Sequence, residues 1–308
     1  MEKYNKKKNK NLDFLSFIGP YVSDSNFENI RSCGSFLEFY ADETLEHKKL
    51  KWGNFCKNRF CPYCNFIKSR KKGLLISTCL RYLKEQGYSF IFLTLTVPNV
   101  KGDQLEESIR DYSSSFAKLT KRRKFKRAIL GYVRNLEITY NKSRMDFHPH
   151  YHCLLVVKKS YFNNPNHYIS RDEWLTMWRE STGDYSITQV DVRKVDISNN
   201  KVISEVSKYS AKDADYLINK EVFHYFYTSL KGKQSVSYSG VFRDAKKLYD
   251  VKQLEYLKDK DLINYVYLIT YVWGPKEYEM IGAVPLSEEE KDIVNNKLNT
   301  LEEIKDLS

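Results

Sequence analysis

Apolar and polar positions alternate most clearly from Gly131 to Val157, GYVRNLEITYNKSRMDFHPHYHCLLVV. Tyr132, Val133, Leu136, Ile138 and Tyr140 form one run and Tyr151 to Val157 a second, with a polar connection around Asn141 to Arg144 between them. The stretch therefore predicts a β-hairpin. Side chains two apart on a strand share a face, so His150 and His152 point the same way as Leu154 and Val156, while Cys153, Leu155 and Val157 point the other. On the partner strand Glu137, flanked by apolar residues, is placed to offer a carboxylate from across the hairpin. Two imidazoles and one carboxylate with positions left open suit a catalytic divalent cation better than a closed structural site. Surface or hydrogen-bonded core histidines are the plain alternative for an isolated HxH pair.

The same reading extends along the chain. SFIFLTLTVP, Ser89 to Pro98, is an unbroken β-branched and aromatic run stopped by proline, hence a buried central strand with Thr94 and Thr96 on one face. Helices are predicted over Lys68–Gln86, over Asp103–Arg127, from a Ser170/Glu173 capping box to about Glu180, over VISEVSKYSAKDADYLINK and over Glu221–Leu230. Ile187–Val195, Asn264–Gly274 and Lys276–Val284 read as strands, and Ser287 with Glu290 caps a C-terminal helix. In the VISEVSKYSAKDADYLINK helix, Glu205, Tyr209 and Lys212 fall on one stripe. A phenol is a poor nucleophile unless its anion is stabilised, and a carboxylate one turn away can position a proton or a water. Packing is the ordinary role of a tyrosine in a chain with 24 of them, and Tyr216 is a rival at the next repeat.

Six cysteines add a second candidate site. Cys56, Cys61 and Cys64 stand in FCKNRFCPYC with Cys33 upstream, four sulfurs at spacings compatible with tetrahedral zinc. His47 is an alternative to Cys33 as fourth ligand, and a set of buried free thiols is the alternative to a metal. A module of roughly 40 residues has too small a core to fold unaided and draws the missing free energy from the metal. Cys79 and Cys153 lie in apolar runs and belong to the core.

Charge points to the partner. The 308 residues carry a net charge of +12, clustered as five lysines in Lys3–Lys10, four basic residues in Lys68–Lys72 and seven in Lys118–Arg127. With 24 Tyr and 17 Phe available for stacking, such clusters favour nucleic acid over an acidic protein or a membrane surface. Lys68, Arg70, Lys71, Lys72, Lys121, Arg122, Arg123 and Lys124 are the expected DNA contacts, the alternative being solvated helix faces. No run approaches the ~20 apolar residues a bilayer span needs, and no signal-peptide pattern opens the chain, so a cytoplasmic protein with reduced thiols and no membrane partner is expected. The expected organisation is a flexible basic arm over residues 1–25, a Cys-rich zinc module over 26–75, a catalytic domain over 76–220, and a smaller α+β region over 221–308 that binds the origin or a partner.

A strand bearing FLTLTVP, a hairpin bearing Glu137 and PHYHCLLVV, and a helix bearing EVSKYSAKDAD resemble, in order and spacing, the three motifs of the HUH endonucleases. The likeness is greatest to the replication initiators of small rolling-circle plasmids of Gram-positive bacteria, and it covers roughly Ile30 to Lys220, including FCKNRFCPYCN. The resemblance implies an α+β, ferredoxin-like HUH fold: a central antiparallel sheet with flanking helices. It implies that His150, His152 and Glu137 hold Mg²⁺ or Mn²⁺, that Tyr209 is the nucleophile, that Glu205 activates water at termination, and that Lys212 holds the phosphate. It further implies plasmid origin DNA, single-stranded or extruded as a hairpin, as substrate, with a host helicase and DNA polymerase as partners. His148 is a departure, since HPHYH offers three histidines where one pair suffices.

Three other readings compete. HPHYHCLL loosely fits the pattern of histidine-triad nucleotide hydrolases, but Pro149 stands where a bulky apolar residue belongs, and neither the cysteines nor the charge then has a role. A non-catalytic, zinc-dependent DNA-binding protein is the second, and another HUH enzyme, a relaxase or single-strand transposase, the third.

Overall fold

The computed structural model describes residues 1–196, 200–207 and 212–297. From the N-terminus, α1 (Glu2–Ile18) and α2 (Asp24–Arg31) precede β1 (Phe36–Ala41) and β2 (Lys48–Gly53). Then come α3 (Pro62–Glu85), β3 (Tyr88–Thr96), α4 (Leu105–Lys121), α5 (Arg123–Ala128), β4 (Gly131–Asn141) and β5 (Asp146–Lys158). After α6 (Arg171–Thr182) and β6 (Asp191–Lys194) follow α7 (Asn200–Ser207), α8 (Asp213–Tyr216), α9 (Lys220–Leu230), β7 (Val236–Ser239) and α10 (Gly240–Asp250). The chain continues through β8 (Tyr267–Trp273), β9 (Tyr278–Pro285) and α11 (Glu288–Asp292). Among the described residues the protein is α+β with two antiparallel sheets, ordered β2-β1-β8-β9 and β6-β3-β5-β4-β7.

The chain divides into two compact units, one of Met1–Lys71 with the segment from Lys258 onward, the other of Lys72–Leu257. This differs from a division into successive segments, because β8 pairs along β1, Phe36 opposite Val272 through Ala41 opposite Tyr267. The strands predicted over 264–284 thus complete the sheet of the cysteine-bearing unit rather than a separate C-terminal domain. The basic N-terminus also differs from a flexible arm. Residues 2–18 are helix α1, which buries Tyr4, Lys8, Asn11, Phe14 and Ile18 along one stripe, an amphipathic spacing that its lysine content masks. Tyr4 packs edge-on against Phe39 and Phe66.

In the second unit the five-stranded sheet is built on the hairpin. β5 is its central strand, nine consecutive positions of which pair with β3, and its apolar half is buried on both faces. On the face away from the histidines Tyr151 stacks on Tyr112 of α4, ring centroids 4.1 Å apart, and meets Phe116 edge-on. The Arg134 guanidinium lies over both Tyr151 and Phe116, at 4.2 and 4.5 Å. Trp178 of α6 donates its indole N–H to Thr96 O at 2.8 Å, so α4 and α6 back this face. At the far edge Gly240 adopts φ +53°, and a Cβ there would sit 2.0 Å from Leu130 O, so only glycine lets β7 turn into α10 beside β4.

Three predicted elements are shorter than expected. The helix over 103–127 breaks at Arg122, which is extended, into α4 and α5. The strand over 187–195 is regular only from Asp191 to Lys194. The segment bearing Glu205, Tyr209 and Lys212 is described as two short helices, α7 and α8, and Tyr209 lies outside the described residues. Both capping boxes, Ser170/Glu173 and Ser287/Glu290, are formed. Among the described residues no helix is long and apolar enough to cross a membrane.

Candidate metal centres and active site

Strand pairing assembles the first centre. Glu137 stands directly opposite His150 in the β4–β5 ladder, and His152 is the next residue on the same face. Glu137 Oε2 lies 2.9 Å from His152 Nε2 and 3.3 Å from His150 Nε2, and all three side chains are buried. Neighbouring ligands of an octahedral cation bonded at ~2.1 Å are about 3.0 Å apart, so these donors sit at the spacing such an ion requires. The ring orientations suit the same task. His150 Nδ1 lies 3.1 Å from His148 O, a contact that fixes the ring with Nε2 facing Glu137. Thr94 Oγ1 lies 3.5 Å from His152 Nδ1, and Phe92 stacks on the His152 ring. Two imidazoles and a carboxylate held this way fit a divalent metal.

The electrostatics agree. Burial alone would raise the Glu137 carboxyl, but the hydrogen bonds from His150 and His152 more than reverse this and hold it well below the usual carboxylate range. Two lysines add positive charge. Lys212 Nζ is 3.5 Å from Glu137 Oε1 and about half exposed. Lys72 of α3 feels the same carboxylate: burial pushes its ammonium down to about 7, against the pull of Glu137. His148 is lowered by burial and by the neighbouring His150, and its ring packs on His150 while its carbonyl does the orienting.

The second centre is built from turns. Cys33, Cys56, Cys61 and Cys64 each place one sulfur in a single cluster, with Cys33–Cys64, Cys56–Cys64 and Cys61–Cys33 separations of 3.5, 3.6 and 3.7 Å. A tetrahedron of ~2.3 Å zinc–sulfur bonds has edges of about 3.8 Å, so the four thiols fit such an ion. The chain bends to aim N–H groups at the sulfurs. Lys57 adopts φ +61° and donates to Cys64 Sγ at 3.2 Å, while Cys56 N–H donates to Cys33 Sγ at 3.3 Å. His47 is elsewhere, exposed and paired with Asp42.

The remaining expected residues divide. Glu205 belongs to α7, which packs on β4 and β5. Tyr216 is fully buried against Phe223 and Phe226, a core position that leaves a phenol no path to a substrate. In the basic runs, Arg122 is bound to Glu180 and Ser181 and Lys124 to Glu173, tying α5 to α6, whereas Lys121 and Arg123 face solvent. Lys68 and Lys71 are exposed, Lys68 donating to Lys57 O, and Arg70 lies over Phe66. Lys72, expected as a DNA contact, is largely enclosed instead, where the Glu137 carboxylate acts on it, a placement no local periodicity signals. Sequence reasoning also missed the approach of Thr94 Oγ1 to His152 Nδ1, although its place on the predicted Thr94/Thr96 face was the available signal.

The described residues therefore define an α+β protein with a strand-borne cluster of two histidines and one carboxylate and a separate four-cysteine cluster. The chain belongs to the replication protein family, whose pattern it matches over residues 47–270. It is similar to a protein rep of Staphylococcus aureus, 52% identical over 221 residues that cover 71% of this chain and 96% of the relative. It is 34% identical to a protein rep of Streptococcus pneumoniae serotype 2 (74% of this chain, 73% of the relative) and 31% identical to one of Bacillus amyloliquefaciens (84% and 85%). No solved structure matches it. These relatives come from Gram-positive bacteria, in line with the resemblance drawn from the three motifs.

Proposed function

We propose that this replication protein is a rolling-circle plasmid initiator of the HUH type that nicks one strand of its origin by tyrosine transesterification. The observation that carries the reading is the Glu137–His150–His152 cluster on paired strands. A divalent cation held there, Mg²⁺ or Mn²⁺, supplies charge neutralisation at the scissile phosphate. The Tyr209 oxygen forms a bond to phosphorus, the bond from phosphorus to the 3′-oxygen breaks, the phenol proton is released to water, and the departing oxygen takes up a proton. The products are a 5′-phosphotyrosyl link and a 3′-OH from which a host polymerase, with a host helicase, extends the strand. Glu205 takes the water's proton at termination.

Two features support Tyr209. It lies three residues before Lys212, a span of at most about 11 Å of chain, and the Lys212 ammonium reaches Glu137. Tyr216, the rival phenol, is enclosed by α9. Lys212 is placed to meet the phosphate beside the carboxylate. Lys68, Lys71, Lys121 and Arg123 are the exposed cations for the DNA backbone. Zinc in the cysteine cluster is structural.

The test uses a supercoiled plasmid carrying the DNA that flanks this gene, incubated with protein and Mn²⁺. Relaxed circles bearing protein covalently attached at Tyr209, absent with chelator and in His152→Ala, are expected. Tight, salt-sensitive binding with neither nick nor adduct would overturn the proposal and leave a DNA-binding protein.

A further inference from the structure

Helix α1 buries two polar side chains where an amphipathic helix would bury apolar ones. Lys8 is 1% exposed and Asn11 0%. The Lys8 ammonium donates to Arg31 O and Cys33 O, both at 2.8 Å, and to Asn11 Oδ1 at 3.4 Å. Asn11 Nδ2 in turn donates to Cys61 Sγ at 3.3 Å. A buried ammonium is strongly unfavourable unless negative charge faces it. The carbonyl it meets at Cys33 belongs to a cysteine of the cluster, and Asn11 carries the contact on to the Cys61 sulfur. Four thiolates around a divalent cation leave two net negative charges, and with Cys33, Cys61 and Cys64 buried most of that charge would lie away from solvent. Lys57 and Cys56 already give backbone N–H groups to Cys64 and Cys33, so Asn11 adds a donor to a third sulfur.

We propose that Lys8 and Asn11 form the outer shell of the cysteine centre, the ammonium compensating the charge of the loaded tetrathiolate and the amide orienting Cys61. This rests on the reading of the cysteines as a metal centre and not on the nicking chemistry. Reciprocity follows from thermodynamic linkage: whatever Lys8 adds to metal affinity, the metal adds to the docking of α1. The basic N-terminus is then part of the metal module. Lys8 and Asn11, like Cys33, precede the 47–270 span of the family match.

The experiment measures Zn²⁺ affinity of the full-length protein by competition with a chromophoric chelator, alongside Lys8→Met, Asn11→Ala and Lys6→Met. Lys8→Met keeps the stem and loses the charge, whereas Lys6→Met removes the same charge from an exposed position of the same helix. Loss of about 10–100-fold is expected for Lys8→Met and less for Asn11→Ala, with Lys6→Met within about twofold of the parent. Under saturating Zn²⁺, hydrogen exchange of Lys8→Met should quicken in Glu2–Ile18 but not in β1 or β8. With Co²⁺, Asn11→Ala should shift the sulfur-to-metal charge-transfer band. Parental Zn²⁺ affinity in Lys8→Met, or equal losses in Lys8→Met and Lys6→Met, overturns the proposal. A wild-type chain that takes up neither Zn²⁺ nor Co²⁺ overturns the metal centre itself.

Discussion

The two centres of this replication protein are built in opposite ways. Glu137, His150 and His152 sit on a hydrogen-bonded ladder, so their spacing is set by strand register before any ion arrives. Cys33 follows α2, Cys56 lies in the irregular stretch after β2, and Cys61 and Cys64 flank the start of α3. They lie outside the strand ladders, in turns held by N–H···S bonds, by the left-handed residues Gly34 and Lys57, and by Asn54, which donates to Ser32 O and accepts from Phe36 N–H. The first centre is pre-organised, with the half-exposed Lys212 reaching its carboxylate. In the second the four cysteines come from separate turns, so an ion bound there would be the main tie between them.

The sharpest way to break this contrast is to remove metal. Chelation, or Cys61→Ser, should cost the cysteine-bearing unit much of the ~10–16 kcal/mol that structural zinc supplies in small domains. Hydrogen exchange should then show β1 and β8 deprotected while the β4–β5 hairpin stays slow; equal deprotection of both would abolish the distinction. Next in size, Glu137→Ala should weaken Mn²⁺ binding measured calorimetrically more than about a hundredfold. Its unit should stay folded by circular dichroism, because strand pairing does not depend on the carboxylate.

A smaller effect is expected of Thr94→Val, which removes the hydroxyl near His152 Nδ1. A loss of Mn²⁺ affinity up to about tenfold is predicted, and parental affinity would show that the ring needs no such support. The smallest concerns Cys79, a core thiol that burial pushes up to about 12 from an ordinary value near 9. The folded state holds this proton more tightly, so its contribution to stability is intact below pH ~9 and is lost as pH rises towards 12. Stability of Cys79→Ala should therefore fall less steeply over that window in denaturant titrations. In stripped protein at pH 8, iodoacetamide should label the four ligand cysteines and spare Cys79; labelling Cys79 equally fast would contradict its burial.

What the chain determines locally is the part that was legible. A period of two puts His150 and His152 on one face, a hairpin brings Glu137 across, FCKNRFCPYC draws three sulfurs together, and two capping boxes start helices where they should. Each of these follows from backbone geometry over a few residues, which tertiary context does not alter. Other features needed the fold. β8 joins β1 across more than two hundred residues, Lys72 comes to Glu137, Arg122 and Lys124 turn inward to α6, and Lys8 and Asn11 close on the cysteines. Nothing local distinguishes a lysine bound for solvent from one bound for a buried anion, because the side chain is the same and only the charge packed against it differs.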